Sequence, residues 1–379
     1  MKVSEQSFAI NLHIMRAFGL YTSKESTPTW KVISYLMYTI FMLPVPLFGT
    51  LYFIFDTTNF DMMRLNDNAF LIAEISCQFT KLFPFIKDAD RVRKCIHYFE
   101  NSVFRVLKPR EVTILQECID TCVRNSKVYV FAVFSINIIW ASKPFFEKDY
   151  RLPVDLWLPF DPTTGPVIYY PVFVALVIAV GYVSIACAAI DPLIAGLAFQ
   201  ASSQLKILKD NLEHLGENFE TFKDNGLAGR IRNCVIHHQE ILNFTHEYEE
   251  CFSLAVFGQF VGSVFVICFC CLQLSKMEPM SYNSFSILTY MVVYMVELLF
   301  YCYYGTILYE ESNNLTQAAY MGKWYEYDIK SRKVLMILME RSNNPIVITA
   351  GKLLEVSLVT FTTILRRSYS LLAVLENYY

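Results

Sequence analysis

Apolar residues occur along this chain in long blocks that are separated by shorter polar segments. A helix that crosses about 30 Å of hydrocarbon needs roughly twenty predominantly apolar residues, and seven blocks approach that length. They lie at 33–55, 69–86, 128–146, 166–190, 252–274 and 285–308, with a last block that ends near Leu375. The pattern therefore predicts an all-α integral membrane protein with seven transmembrane helices and no sizeable soluble domain.

The overall composition favours the same class of protein. Only 18% of the 379 residues are charged and 54% are hydrophobic, whereas about a quarter of an ordinary soluble protein is charged. The last block is the weakest by hydropathy because it carries Lys352, Glu355, Arg366 and Arg367. Charges at membrane depth need water or protein around them, so the last helix is expected to differ in role from the other six.

The distribution of lysine and arginine predicts how the chain crosses the membrane. The first thirty residues lack an apolar run followed by a small-residue cleavage site, so no cleaved signal peptide is expected. With the amino terminus inside, the cytoplasmic segments hold 23 basic residues and the outside loops hold 5. Basic residues concentrate on the cytoplasmic side of membrane proteins. We therefore expect a cytoplasmic amino terminus and an extracellular carboxyl terminus.

Helices are expected to continue beyond the membrane after the fourth span. Leu205, Leu208 and Leu212 recur at steps of three and four residues, the spacing of a helix face that packs on another helix. A break at 225–229 is followed by a second apolar face that leads into the fifth span. The sequence predicts a cytoplasmic helical hairpin, which either shields its own apolar face or contacts another subunit.

No motif in the chain indicates catalysis or metal binding. His237, His238 and His246 lie near two glutamates, but the His-Glu-x-x-His spacing of a helical zinc site is absent. A glycine-rich phosphate loop, a nucleophile elbow and paired catalytic carboxylates are absent as well. We therefore expect no enzyme activity, no metal site and no cofactor, and we expect these histidines to be solvated or packed.

The polar positions of the last helix favour a channel pore. Charged and hydroxyl-bearing side chains are tolerated inside a membrane only where they face water or protein. One stripe, at steps of four, three and four residues, consists of Arg367, Leu371, Val374 and Tyr378, and Ser370 and Asn377 flank it. We expect this stripe to line a pore in which a ring of Val374 side chains gates by excluding water and Asn377 contributes to a polar mouth. The alternative is that the stripe only packs against neighbouring helices.

Short motifs cluster in about the last 85 residues. They are Glu297-Leu-Leu-Phe-Tyr-Cys-Tyr-Tyr-Gly305, Ala318-Ala-Tyr, Lys323-Trp-Tyr325, Asn344-Pro345, Thr349-Ala-Gly-Lys352, Ser357-Leu, Thr360-Phe361 and Ser368-Tyr-Ser370. Together these motifs resemble the carboxyl-terminal signature of insect odorant receptors. The architecture and orientation predicted above are also similar to those of that family over the whole chain.

The resemblance implies an odour-gated, non-selective cation channel in the dendrite plasma membrane of sensory neurons. In this family an odorant-binding subunit assembles with a common co-receptor into a tetramer around a shared pore. The co-receptor has a long insertion between its fourth and fifth helices, and the short connection here resembles a ligand-tuning subunit. Expected partners are the co-receptor, a small volatile ligand and membrane lipid, but no nucleic acid. The alternatives are a gustatory-type channel that works alone and a receptor coupled to a cytoplasmic transducer.

The resemblance also implies a division of the chain into regions. Residues 1–309 would contain the first six helices and the odorant pocket, 191–252 and 310–352 the anchor region where subunits meet, and 353–379 the pore-lining helix. Subunit contacts would come from Leu205, Leu208, Leu212, Trp324 and Tyr325. Val374 matches the gate valine of the family, whereas Leu371-Leu372 and the tail Asn377-Tyr-Tyr379 depart from its usual pattern.

In the family, the ligand pocket lies among the outer halves of the second to sixth helices. Candidates at helical spacing are Phe79, Phe83, Val133, Ile136, Trp140, Tyr169, Phe173, Leu176, Tyr290, Met291 and Tyr294. Such apolar and aromatic side chains suit a small volatile molecule that is held by burial, at roughly 25 cal/mol per Å². Any single aromatic residue on a membrane helix is nevertheless more often a packing residue or an interfacial anchor.

Overall fold

The protein, described here by a computed structural model, is built almost entirely from helices. The structure describes residues 3–22, 27–55, 62–105, 108–146, 152, 156–160, 165–216, 226–278 and 280–376. The α-helices are α1 Val3–Ser7, α2 Ala9–Ala17, α3 Pro28–Met42, α4 Pro44–Phe55, α5 Met62–Lys87, α6 Ala89–Ile96, α7 Pro109–Phe146, α8 Pro166–Glu213, α9 Leu227–Lys276, α10 Tyr282–Asn313, α11 Leu315–Met321, α12 Ile329–Ser342 and α13 Leu358–Glu376. Turns of 3₁₀ helix lie at Tyr98–Glu100, Ser102–Phe104 and Trp324–Glu326, and β1 Thr349–Ala350 pairs with β2 Leu354–Glu355.

Within the described residues, six stretches of helix are long and apolar enough to cross a membrane. They are Pro28–Tyr52, Pro109–Ser142, Pro166–Glu213, Leu227–Lys276, Tyr282–Met321 and Leu358–Glu376. The 26 residues of α5 span about 39 Å at 1.5 Å per residue, which is also sufficient length. Glu74 and Lys81 interrupt its apolar sequence, so the second span is more polar than its apolar block suggested. The predicted all-α membrane architecture is confirmed.

Two helices extend far beyond the thickness of a bilayer. α8 contains 48 residues and α9 contains 50, so each is more than 70 Å long at about 1.5 Å per residue. A hydrocarbon core is about 30 Å thick. The predicted continuation of the fourth and fifth spans is therefore observed, and we call the side of the molecule on which α8 ends and α9 begins the hairpin side. Phe219 and Phe222, which continue the apolar spacing of α8 in the sequence, lie outside the described residues.

Short polar residues define the starts of several helices. Thr27 accepts a hydrogen bond from the backbone N–H of Trp30 at 3.2 Å, and Pro28 follows as the first residue of α3. Ser281 caps α10 through the N–H of Ser284. Asp328 caps α12 by accepting hydrogen bonds from two backbone N–H groups. Each cap satisfies donors that the first helical turn leaves without a partner in the helix.

The main core lies between the long helices and continues onto the hairpin side. There α2 packs against α8, with Phe8, Leu12 and Met15 fully or almost fully buried. The ring of Phe8 occupies the space next to Gly196, where an added Cβ would lie 2.6 Å from the ring. The amino-terminal helices are thus part of the same core as the membrane helices.

Helices α5 and α9 approach closely through two glycines. Gly258 and Gly262 are four residues apart and face α5, where an added Cβ would overlap Thr80 Oγ1 and Cys77 Sγ respectively. Small residues at this spacing allow membrane helices to pack by close backbone approach. The contact fixes the position of α5, which carries Glu74 and Lys81 into the protein interior.

A β-hairpin precedes the last helix. β1 and β2 pair antiparallel with Thr349 opposite Glu355, and the turn places Gly351 and Lys352 at positive φ values of 62° and 59°. The N–H and hydroxyl of Thr349 donate to Glu249 Oε1 on α9 at 2.6 and 2.8 Å. Lys352 and Glu355 therefore lie before α13 rather than within it, and the last helix begins at Leu358. This removes two of the four charges that weakened the last block by hydropathy.

Candidate functional site

A cavity of about 120 Å³ lies among α5, α7, α8 and α10. Its lining combines aliphatic, aromatic and polar side chains. The lining residues are Glu74, Gln78, Tyr129, Val133, Ile136, Asn137, Trp140, Val180, Ser184, Cys187, Ala188, Asp191, Ser286, Ile287, Tyr290, Val293, Tyr294 and Glu297. Trp140 and Ser286 lie near the helix ends opposite the hairpin side, whereas Asp191 and Glu297 lie deeper along their helices.

Two helices provide most of the apolar wall. On α7, Val133, Ile136 and Trp140 are separated by three and four residues and therefore present one face to the cavity. On α10, Tyr290 and Tyr294 are stacked with ring centroids 5.8 Å apart and an interplanar angle of 26°. These five residues are the sequence-predicted ligand candidates that the structure brings together around the cavity.

Six other candidates lie away from this cavity. They are Phe79, Phe83, Tyr169, Phe173, Leu176 and Met291. Tyr169 and Phe173 stack on each other at 5.9 Å and form a separate cluster with Leu152. Helical spacing identifies residues that share a face, but it does not reveal which neighbouring helix that face meets.

The other candidates outside the cavity pack elsewhere or face outward. The ring of Phe79 packs against Tyr38 with centroids 4.9 Å apart. Leu176 is buried in the main core. Phe83 is exposed, and Met291 Sδ lies 3.9 Å from Cys271 Sγ.

A buried ion-pair network forms the deep end of the cavity. Lys81 Nζ lies 3.1 Å from Asp191 Oδ1 and also contacts Glu297 Oε1. Tyr129 donates to Glu297 at 2.8 Å, and Tyr301 donates to Asp191 at 2.7 Å. Four helices are thereby joined through charged side chains, since these residues come from α5, α7, α8 and α10. Buried charges require such pairing to be tolerated.

Sequence reasoning missed this network, although a signal was present. Asp191 and Glu297 are isolated acidic residues in otherwise apolar stretches, and Lys81 is an isolated basic residue. Ionisable residues inside membrane helices face the protein interior and pair with one another, so each of them indicates a functional or structural site. The identity of the partners depends on the helix arrangement, which spacing alone does not give.

Glu74 occupies a different wall of the same cavity. Its Oε1 accepts a hydrogen bond from Gln78 Nε2 at 2.8 Å, and Tyr290 lines the same cavity. Glu74 is only partly buried, whereas Asp191 and Glu297 are buried. A carboxylate is therefore accessible from the cavity.

The last helix presents a polar face that the rest of the chain does not cover. Ser368 and Ile364 are buried on one side of α13. On the other side Arg367 and Ser370 are exposed, Val374 is 53% exposed, and Leu371 lies at the boundary. Asn377 and Tyr378, the remaining members of the predicted stripe, lie outside the described residues. A face with these polar groups is unsuited to lipid.

The residues expected at subunit contacts fall into two groups. Leu205, Leu208 and Leu212 have no exposed surface because they pack inside the chain, so they offer nothing to a second subunit. Trp324 and Tyr325 are 36% and 62% exposed. They are among eight exposed apolar residues in this part of the chain, here called the 320–337 surface, whose members are Tyr320, Met321, Trp324, Tyr325, Ile329, Val334, Met336 and Ile337.

Two of the three histidines of α9 are packed inside the chain. His237 and His238 are buried, and His237 Nε2 lies 3.1 Å from Gln204 Oε1. Burial lowers the pKa of each of these histidines to about 4, so both are neutral at physiological pH. Among the described residues, no group of three His, Cys, Asp or Glu side chains is arranged to hold a metal ion.

Comparison with known proteins points to one family. The family model described as 7tm odorant receptor matches residues 61–369. Odorant receptor Or1 of Anopheles gambiae is 22% identical over 345 residues, which cover 84% of this chain and 82% of the relative. Odorant receptor 46a, isoform A, of Drosophila melanogaster is 23% identical and covers 92% of both chains.

Solved structures of similar fold come from the same group of proteins. The olfactory receptor OR5 from the insect Machilis hrabei, in complex with eugenol, superposes with a TM-score of 0.83 and 17% identity over 98% of each chain. A second structure of the same receptor gives a TM-score of 0.84 and 17% identity over 97% of this chain and 96% of that one. The similarity extends over almost the whole fold.

Proposed function

This chain belongs to the 7tm odorant receptor family, and from that premise we propose that it is the odorant-tuning subunit of a ligand-gated, non-selective cation channel. The proposed site of ligand binding is the cavity between α5, α7, α8 and α10. The proposed pore is lined by the exposed face of α13. Assembly with the odorant receptor co-receptor would complete the channel.

The observation that carries this proposal is the exposed polar face of α13. The helix is 19 residues long, and among its residues only Ile364 and Ser368 are buried inside the chain. Its uncovered side includes Arg367 and Ser370. Exposed to lipid, these groups would be costly, but around a pore they would face water. Val374 lies farther along the same side and would form a hydrophobic ring that closes the pore by excluding water.

The size and lining of the cavity support a small ligand. A cavity of about 120 Å³ is close to the roughly 150 Å³ that holds a benzene-sized molecule in another protein. Trp140, Tyr290 and Tyr294 provide aromatic surface, and the polar groups at the deep end provide orientation. A receptor of the same fold has been solved with eugenol, a small aromatic compound. This supports a ligand of similar size for the present chain.

A direct path joins the proposed ligand site to the proposed pore. α10 lines the cavity from Ser286 to Glu297 and continues to Gly305, where an added Cβ would overlap the carbonyl oxygen of Val356. One residue later, Thr306 Oγ1 accepts a hydrogen bond from the N–H of Leu358, the first residue of α13. A ligand that binds the open arrangement of α10 more tightly would thereby favour the open arrangement of α13.

The 320–337 surface is the proposed contact with the co-receptor. Groups of exposed large apolar residues commonly mark protein interaction sites. The surface lies on the hairpin side, between α10 and α13 in the chain. The excess of basic residues in the same connections supports a cytoplasmic location for it, with the amino terminus inside and the protein in the dendrite membrane of sensory neurons.

The test is a recording of whole-cell current from cells that express this chain with and without an odorant receptor co-receptor, during application of a panel of volatiles with G-protein signalling blocked. Cells that express the co-receptor alone are the control. A rapid cation current that requires both chains supports the proposal. Current from this chain alone would indicate a gustatory-type channel. A response that disappears when G-protein signalling is blocked would indicate a transducer-coupled receptor.

A further inference from the structure

The cavity contains more carboxylates than the described cations can neutralise. Glu74, Asp191 and Glu297 all line it. Lys81 pairs with Asp191 and Glu297, and among the described residues no lysine, arginine or histidine forms an ion pair with Glu74. Charges that are removed from water require compensation by opposite charge or by hydrogen bonds. Glu74 is therefore compensated by hydrogen bonding, and no cation of the described residues is paired with it.

The surroundings of Glu74 provide a second acceptor. Gln78 is only 8% exposed, lines the cavity and lies one helical turn from Glu74. Its Nε2 donates to Glu74, while its buried Oε1 has no hydrogen-bond partner among the described atoms. A buried acceptor without a donor costs free energy. A ligand with several N–H groups could hydrogen-bond to both residues, since an ammonium carries three donors.

Aromatic rings line other parts of the same cavity. Trp140 and Tyr129 come from α7, and Tyr290 and Tyr294 come from α10. The faces of such rings attract cations, and rings that share a cavity with a carboxylate are suited to an organic ammonium ligand. The same rings bury the apolar part of a ligand. Charge, hydrogen bonding and ring placement thus indicate the same ligand chemistry.

We propose that the cavity recognises a small amine, with its ammonium held by Glu74 and its apolar body against the aromatic walls. This inference rests on the proposed function, in that the same cavity serves as the ligand site, and it adds the chemical class of the ligand. A neutral alcohol offers a single donor and no charge, and a hydrocarbon offers neither. A carboxylate ligand would be repelled by the acidic groups. The expected order of affinity is amine, then alcohol, then hydrocarbon.

Direct binding to the purified full-length chain tests the inference without requiring channel activity. The probes are 2-phenylethylamine, 2-phenylethanol and propylbenzene, which have similar size and the same ring. Binding to the folded state stabilises it by RT ln(1 + L/Kd), where L is the free ligand concentration, and so raises the thermal midpoint of unfolding as that concentration increases. Each dissociation constant therefore follows from a titration in detergent. We expect the amine to bind the wild-type chain about ten- to hundredfold more tightly than the alcohol, because one charge-assisted hydrogen bond contributes a difference in affinity of this size.

Two substitutions separate charge from shape. Glu74→Gln keeps the size of the side chain and removes its charge, so amine binding should weaken about ten- to hundredfold while alcohol binding stays within about threefold. Ile136→Ala changes the apolar wall of the same cavity and should weaken both ligands by the same factor. Glu74→Asp retains the charge and should retain part of the preference for the amine.

Equal affinities of amine and alcohol for the wild-type chain would overturn the inference. So would a Glu74→Gln variant that loses affinity for the amine and for the alcohol by the same factor. The proposed channel function is tested separately from the ligand class. Amine binding without any cation current in the presence of the co-receptor would contradict the channel assignment and leave the ligand class standing. Current evoked by the alcohol and the hydrocarbon with no preference for the amine would support the channel assignment and contradict the ligand class.

Discussion

The hydroxyl of Thr306 accepts a hydrogen bond from the backbone N–H of Leu358 at 3.0 Å. This bond joins α10, which lines the cavity, to the first residue of α13. Removal of the hydroxyl in Thr306→Val leaves the Leu358 N–H without this acceptor and loosens the connection between the two helices. One such bond contributes about 1 kcal/mol.

We therefore expect Thr306→Val to reduce the maximal ligand-evoked current about two- to fivefold while ligand affinity, measured by thermal stabilisation, is unchanged. Thr289→Val is a matched control on the same helix, because the Thr289 hydroxyl donates to the carbonyl of Phe285 in the preceding turn and, among the described residues, to no other helix. Equal currents in the two variants would show that this contact does not transmit ligand binding.

The pair of Lys81 and Asp191 gives a prediction about stability. Both side chains are at most 2% exposed, and Lys81 also contacts Glu297. Lys81→Met would leave two buried carboxylates without their cation, which typically costs about 3–5 kcal/mol. We expect a large fall in the thermal midpoint of the detergent-solubilised protein and in its amount at the cell surface.

A compensated variant distinguishes loss of charge balance from loss of packing. Lys81→Met combined with Asp191→Asn and Glu297→Gln removes all three charges and keeps acceptors for the hydroxyls of Tyr301 and Tyr129. This triple variant should recover most of the lost stability. If it is no more stable than Lys81→Met alone, the ion pairs do not determine the stability of this region.

The contact of Gly262 with Cys77 gives a second prediction about stability. A Cβ at position 262 would overlap Cys77 Sγ, so Gly262→Ala forces α9 away from α5 or the cysteine into another rotamer. Overpacking of this kind costs about 1–3 kcal/mol. We expect a lower thermal midpoint in Gly262→Ala and partial recovery when Cys77→Ala is added.

Gly181 provides the matched control for that substitution. It lies within α8, and an added Cβ would have nothing within 4 Å. Gly181→Ala should leave the thermal midpoint unchanged or raise it, because alanine is the better helix former by up to about 1 kcal/mol. A similar loss in both variants would contradict the close approach of α5 and α9.

Burial of two histidines predicts how stability depends on pH. The pKa values of His237 and His238 are lowered from 6.5 to about 4, first by desolvation and then, for His238, by the charge of Arg341. For His237, the charge of Glu111 opposes the shift and that of His238 adds to it. The unfolded chain therefore binds more protons between pH 6.5 and 4, so stability decreases as the pH falls through this window.

The expected loss is on the order of a few kcal/mol by pH 4 if both groups remain buried. Thermal midpoints of wild type and the double variant His237→Gln/His238→Gln, measured from pH 7.5 to 4.5, test this directly. The double variant should lose less stability over that range. His246→Gln, at an exposed position on the same helix, should follow wild type; a wild-type curve with the same slope as that of the double variant would contradict the prediction.

Much of the fold was accessible from the sequence because apolar block length is a strong signal. The second block is instructive, since Glu74 and Lys81 interrupt it and yet α5 forms there. Its charges are tolerated because they meet polar partners on α5 itself, α8 and α10. The start of α13 was harder to predict, because nothing in the apolar pattern around Lys352 indicates the β-hairpin that precedes the helix.

The candidate site could be predicted from the sequence only in part. Spacing correctly indicates that Val133, Ile136 and Trp140 share one face of α7, and it gives the same kind of pattern for Tyr169 and Phe173, which pack in a separate cluster. Whether such a face lines the cavity or packs elsewhere depends on which helices lie next to it. The arrangement of neighbouring helices is set by contacts between residues far apart in the sequence. The glycines at 258 and 262 set one of these contacts, and their spacing is visible in the sequence.

The most direct test of the account is the accessibility of position 374 during ligand-evoked current. Val374→Cys is expressed with the co-receptor, a membrane-impermeant charged thiol reagent is applied outside, and current is recorded with and without ligand. The unsubstituted chain, treated identically, controls for its eleven cysteines. If the exposed face of α13 lines the ligand-opened pore, the reagent will reduce the current irreversibly in Val374→Cys, and faster when ligand is present. An unchanged current despite labelling of the introduced thiol, demonstrated by mass spectrometry, would contradict the assignment of α13 as the pore helix.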